Sequence, residues 1–478
     1  MSNNASQELS TTAFGELSVA EPTPEVQISA VNGLRDDTQK IFAGTGASVS
    51  VLNGNYVCNS GSSATGLSSI LSTREATYRN GQGLGCRITA LFKKDTPNAI
   101  QLAGFINGNN AFAFGYNGDE YGIVRAYDGV TEFQNLQVTT SASGSENATI
   151  TVDSVAYVVP LTSGSEGHNA FEISNSLNAQ VPNYSFSSNG DTVAALAAVP
   201  IAAGTFSFSS ATSVAAWTQV NIGTPATFDW IPQSDWLNPP DFTIDSEKGN
   251  VYQIKMQYLG YGGIKFYIEN PSTTEFDLVH IYEYSNAHDV PSVNNPTFRV
   301  GWAVQNLGNT TPIELKGASA VGFVEGKKIF DEVGRGLSAE NLAVDTSRVN
   351  LLTLRNRLHM NNSINRISVY PTFLVASAAH NKTVILHISI EESFNGDLDF
   401  SYVDQVNSAV EYANDAAIVL GTGREVVTVR LRSTTPLPLD MEKLLSVLSP
   451  RQSLTISAET SSGTGAEVDV SFAWNEDP

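Results

Sequence analysis

Residues 250–269 read NVYQIKMQYLGYGGIKFYIE. Tyr252, Ile254, Met256 and Tyr258 fall on one side of an extended chain, with Gln253, Lys255 and Gln257 on the other. LGYGG then breaks the alternation. Ile264, Phe266 and Ile268 resume the apolar phase against Lys265, Tyr267 and Glu269. A period of two on both sides of a Gly-rich turn predicts a half-buried β-hairpin.

The same pattern extends outward. LGCRITALF, AIQLAGFI and NAFAFGYNGDEYGIVRAYDG alternate before it, and NGDEYG supplies the left-handed positions of a hairpin turn. FDLVHIYEYSN, FRVGWAVQN and PIELKGASAVGFVEGK follow it. Together, 31–133 and 223–327 read as one β-sandwich. Between them, 134–222 is rich in Ser, Thr and Ala and nearly free of basic residues. Its strands are expected at NATITVDSVAYVVPL, DTVAALAAV and GTFSFSS, with a helix near HNAFEISNSLNA capped from LTSGSE. That order reads as a small inserted α+β module.

At the ends, two prolines in SVAEPTPEVQI predict an extended N-terminal arm over 1–30. KKIFDEVGRGLSAENLAV predicts a linker with helical character over 328–350. RISVYPTFLVAS, KTVILHISIEE and EVVTVRLRS alternate again, so 351–478 reads as a C-terminal β-sandwich, with a short helix expected at LDMEKLLSVLS. The fold class expected is mainly β: a sandwich, which resembles the concanavalin/laminin-G type, with an α+β insertion, followed by a second sandwich.

The chain has 478 residues, enough for about three domains. It is 41% hydrophobic but only 15% charged, so Ser, Thr, Asn and Gly must cover much of its surface. Its net charge of −22 opposes a phosphate backbone, which argues against nucleic-acid binding. MSNNASQEL carries no apolar signal region, and no run approaches ~20 apolar residues, so neither secretion by a leader nor membrane insertion is expected. Synthesis in a host cytoplasm is the consequent expectation.

Sites of chemistry are sparse. There is no G-x-S-x-G, H-E-x-x-H, P-loop or dinucleotide fingerprint. Cys58 and Cys86 are the two cysteines; a bridge is open to them, but two buried thiols are expected, and no CxxC pair offers zinc ligands. The six histidines, His168, His280, His288, His359, His380 and His387, are scattered. Asp397, Asp399 and Asp404, and Asp119 with Glu120, have the oxygen chemistry of calcium ligands, but solvated turns are the expected reading. No cofactor or metal is expected.

Two features bear on saccharides. Trp236, Tyr261 and Tyr267 fall around the loop and hairpin and could stack on sugar rings, although Tyr258 shares the core phase. Glu269, Asp277 and Glu283 lie near the same hairpin, where a carboxylate pair would serve glycoside hydrolysis; solvent-facing charge is the expected reading.

Several blocks are familiar in order. FGELSVAEPTPEVQI, YRNGQGLGCRITALF, AFGYNGDEYGIVRAYDG, WIPQSDW, the long stretch from GNVYQIKMQYLGYGG to VGFVEGK, and LTISAE with EVDVSFAWNED together resemble viral and phage virion structural proteins. That family comprises tail-fibre, spike and capsid-associated β-sandwich proteins. The resemblance covers most of the chain and brings no catalytic motif. It implies a non-enzymatic virion component that contacts other virion proteins through its N-terminal arm and assembles symmetrically, a trimer being the expectation. A receptor-binding module for host surface glycans is the first alternative, through Trp236, Tyr261 and Tyr267. A polysaccharide depolymerase is the second.

Overall fold

The computed structural model describes residues 22–477 apart from 36, 108–109, 182–183, 198–203, 327–332, 362, 380–382, 396–397, 432–434, 445–446 and 462–464. The chain is mainly β, its strands pair almost entirely antiparallel, and Glu166–Gln180 is the one α-helix among the described residues. It divides into two compact units. Residues 1–129 and 225–329 make the first; residues 130–224 and 330–478 make the second.

The opening hairpin forms as its pattern predicts. Asn250–Met256 pairs with Ile264–Glu269, Tyr252 facing Ile268 and Met256 facing Ile264. Three consecutive residues, Tyr258, Leu259 and Gly260, turn the chain with positive φ. The hairpin sits in a six-stranded sheet ordered Pro22–Ser29, Ser319–Glu325, Leu84–Ala90, Asn250–Met256, Ile264–Glu269, Phe276–Tyr282. A second sheet of the first unit runs from Thr227–Pro232 through Glu120–Tyr127, Ala111–Asn117, Ala99–Ile106, Thr297–Asn306 and Leu67–Ser72 to Thr38–Ala43. The two faces share one core. The Phe114 ring lies 4.7 Å from Tyr252 and 5.5 Å from Phe266, centroid to centroid. Tyr252, Ile254, Met256, Ile264, Phe266 and Ile268 are all buried there, which is sheet-on-sheet packing. The polar side of the hairpin is also covered. Gln253 accepts from Arg87 Nε at 2.7 Å, and Lys255 is buried with Glu325.

Residues 22–29 correct the expected arm. They form an edge strand of this same sheet, pairing with Ser319–Glu325, and Val26 and Ile28 enter the core. The prolines that argued for an extended segment fit an edge strand, where a missing N–H is tolerated. Residues 1–21 lie outside the described residues.

In the second unit, Glu166–Gln180 forms where expected. Ser165 is its N-cap and accepts the His168 N–H at 3.0 Å. Ile173 and Leu177 bury against the sheets that carry Leu136, Ile150, Val159 and Val193. Asp153 and Ser154 both hold positive φ in the tight turn between Glu146–Val152 and Val155–Leu161, as a two-residue hairpin requires. The C-terminal sheets pack around Leu352, Leu386, Ile456, Val470 and Trp474.

The linker is the second correction. Val333–Val344 is a twelve-residue strand paired with Ala466–Asp477. Its register shifts between Ala339 and Leu342, and Asn341 there has φ 56°. That β-bulge spaces the apolar residues Leu337, Ala339, Leu342 and Val344 by two, three and two, which breaks the strand period and imitates a helical one. Val333–Val344 therefore belongs to the C-terminal sandwich rather than to a linker; residues 328–332 lie outside the described residues. LDMEKLLSVLS contains no helix among the described residues: Leu439 and Asp440 end the strand Leu437–Asp440, paired with Phe373–Ala376, a turn follows at 442–444, and Leu448 makes a single bridge to Val369. Residues 445–446 lie outside the description.

Candidate functional site

The expected aromatic site does not assemble. Trp236 is only 5% exposed and packs within the first unit's core, 6.1 Å from the Phe114 ring and 5.8 Å from the Tyr121 ring. It has no face left for a sugar. The local cause is the three-residue turn Gln233–Asp235, which points the next side chain inward. Tyr261 is exposed, but its hydroxyl donates to the Asp289 carbonyl at 3.1 Å and its carbonyl accepts from Ser285 Oγ at 2.8 Å. It braces the turn. Beneath it Tyr284 stacks on His288 at 4.0 Å and contributes, with Tyr282, to a buried nest for Arg125. Tyr267 is half-buried on Ile264–Glu269.

The other candidates have structural partners. Cys58 and Cys86 are unbridged and buried. Burial pushes the Cys58 thiol up to about 12 and the Cys86 thiol higher. Asp119 and Glu120 are exposed beside a hairpin turn. Asp404 accepts the Asn407 and Val406 N–H groups, both at 2.9 Å, and those bonds hold its carboxyl low. Burial, with the Asp415 carboxylate nearby, raises Asp399. Asp397 and His380 lie outside the described residues. Among the described residues no three His, Cys, Asp or Glu side chains converge as metal ligands. Asp277 takes the Asn270 amide at 2.8 Å, and Glu283 is exposed.

A concavity lies instead in the second unit. Its volume is about 460 Å³, within the range of small-molecule sites. Helix Glu166–Gln180 supplies Phe171 and Asn175, and strand Tyr184–Asn189 supplies Ser185 and Ser187. Across from them stand Arg355, Glu391, Phe394, Phe400 and Arg451.

The charges are arranged with some rigidity. Arg355 Nε donates to Glu411 at 2.6 Å, Nη2 donates to the Ser188 carbonyl at 2.7 Å, and the guanidinium lies 3.7 Å over the Phe400 ring. Glu392, buried, pairs with Arg348 at 3.1 Å. Arg451 Nη1 donates to Ser185 Oγ at 2.8 Å. Glu391 accepts from the Ser453 N–H at 2.6 Å; it keeps contact with water, but the surrounding walls raise its carboxyl above the usual range. Glu391 has φ 59° and Arg451 has φ 77°. Left-handed backbone is costly for such long side chains and is held here by the Ser453 bond and by Arg451 N–H to the Asn356 carbonyl at 2.9 Å. Asn175 is exposed to the concavity, and its amide makes no side-chain hydrogen bond among the described residues. No sequence motif marks this site, because its residues come from four separated segments.

No protein-family model matches the chain, and no curated protein matches it in sequence. Solved structures give weak likenesses. A glycoside hydrolase family protein from Mycobacterium thermorestibile aligns at TM-score 0.27 and 9% identity, over 63% of this chain and 95% of that one. The structure of infectious bursal disease virus, Gx strain, aligns at TM-score 0.18 and 8% identity, over 84% and 74%. The triple jelly-roll fold and turret assembly of an archaeal virus aligns at TM-score 0.17 and 9% identity, over 93% and 96%. Scores this low carry no argument about what this chain does.

Proposed function

We propose that this protein is a structural component of a viral particle, without chemistry of its own, which assembles with copies of itself. The observation that carries the assembly is an open sheet edge in the first unit. Thr38–Ala43 ends its sheet, and a turn at Gly44–Ala47 leads to Ser48–Leu52, which ends another. Phe42 and Leu52 on these edges are each 56% exposed. Natural edge strands are usually blunted by prolines, charges or cover, because unpaired N–H and C=O groups recruit further strands. Pro22–Ser29 follows that rule with two prolines; Thr38–Ala43 has only Lys40. Support for the particle comes from the ordered blocks that resemble virion proteins. The low share of charged residues and the antiparallel sheets suit a repeated building part.

Sedimentation velocity on the purified chain tests the assembly. A discrete oligomer, a trimer in the expected case, that dissociates in Phe42→Asp or Leu52→Asp supports the proposal. A monomer at all micromolar concentrations, or an oligomer indifferent to both substitutions, overturns the edge as its basis.

A further inference from the structure

We infer that the concavity of the second unit binds a neutral saccharide of one or two rings. Its charged groups balance: Arg355 and Arg451 stand against Glu391 and Glu392. Arg355 is paired with Glu411 and buried Glu392 with Arg348, so an anionic ligand would meet the Glu391 carboxylate within a chain of net charge −22, and a cation would meet the Arg451 guanidinium. A neutral ligand avoids both conflicts.

The rim then selects among neutral ligands. The Asn175 amide, the Glu391 carboxylate and the Arg451 guanidinium are planar groups with two polar atoms at one edge. Such groups match adjacent hydroxyls, each of which donates and accepts. Ser187 adds a hydroxyl, and its side chain has no hydrogen-bond partner among the described residues. Phe171 and Phe394 are half-buried at the wall, where an apolar surface can meet the C–H face of a sugar ring. The left-handed backbone at Glu391 and Arg451 is a second, independent sign. Both strained residues carry charged side chains, and both line this one concavity. Strain retained at two positions on one wall of the concavity is consistent with a preorganised site.

The test uses the full chain on an array of immobilised neutral oligosaccharides, hexose and N-acetylhexosamine types, with sialylated ones alongside. Calorimetry with the free form of the best-bound sugar follows. Binding to a neutral sugar is expected, weakened at least tenfold by Asn175→Ala and by Glu391→Gly, and unchanged by Tyr261→Ala in the first unit. Glu391→Gly relieves the backbone strain at φ 59° while giving up the Ser453 bond, so the fold is kept and its thermal midpoint should lie near that of the parent. Retention of no neutral sugar at millimolar concentration, retention of sialylated sugars alone, or binding indifferent to both pocket substitutions would overturn the inference. It is separable from the assembly proposal: a chain that assembles but binds no sugar loses only this site, and a monomer that binds sugar loses only the assembly.

Discussion

Lys255 Nζ lies 2.8 Å from Glu325 Oε1, and both side chains are more than nine-tenths buried. They come from strands on opposite sides of Leu84–Ala90, and Lys255 stands directly across from Gly85. The pair can meet because Gly85 presents no side chain between them. A Cβ there would strike the ring of Phe323, the residue facing Gly85 from the other strand.

Breaking this pair strands a buried charge. Glu325→Ala should destabilise the first unit by about 3–5 kcal/mol, whereas replacing both partners by apolar residues of similar size should cost much less. Urea unfolding of the two variants measures the difference. Equal losses would show that the pair is not desolvated as the geometry indicates.

Gly85→Ala is expected to cost about 1–3 kcal/mol through overpacking against Phe323. The same unfolding assay reads it, and Phe323→Leu should recover part of the loss by making room.

The two thiols give a chemical test of the core. Cys58 and Cys86 are fully buried and their thiolates are disfavoured. A thiol reagent at pH 8 should label neither in the native chain and both in guanidinium. Rapid native labelling of either would contradict the packing.

His359 predicts a pH response of the second unit. Its ring packs against Phe133 in a tilted arrangement, centroids 4.2 Å apart, and burial, reinforced by Arg357, lowers its pKa to about 4. An unfolded imidazole takes its proton near 6.5. Between those values the unfolded state holds the extra proton, so this group's contribution is fully present above about 6.5 and is lost as pH falls toward 4. The loss amounts to at most about 3 kcal/mol. His359→Phe should flatten the acid limb of stability against pH. An unchanged slope would place the titration elsewhere.

Sheet periodicity was readable wherever one face meets a core. The hairpin at 250–269 and the helix cap at Ser165 follow directly from residue types, whereas the turn at Asp153–Ser154 inside NATITVDSVAYVVPL does not stand out from the strand pattern around it. The errors have a common cause in tertiary context. A bulge at Asn341 disguised a strand as a helix, and a short turn buried Trp236, whose loop setting suggested exposure. Extended sequence at 22–29 could not reveal that its partner strand lies three hundred residues away. The concavity left no trace at all, because Asn175, Ser187, Glu391 and Arg451 acquire their meaning only from backbone conformation and proximity.

The most direct test of the structural role is immunogold labelling of purified particles with an antibody to the C-terminal sandwich. The account predicts label at regularly repeated positions on the particle. Absence of label from both intact and disrupted particles, with the chain recovered only in the soluble fraction of host cells, would contradict it.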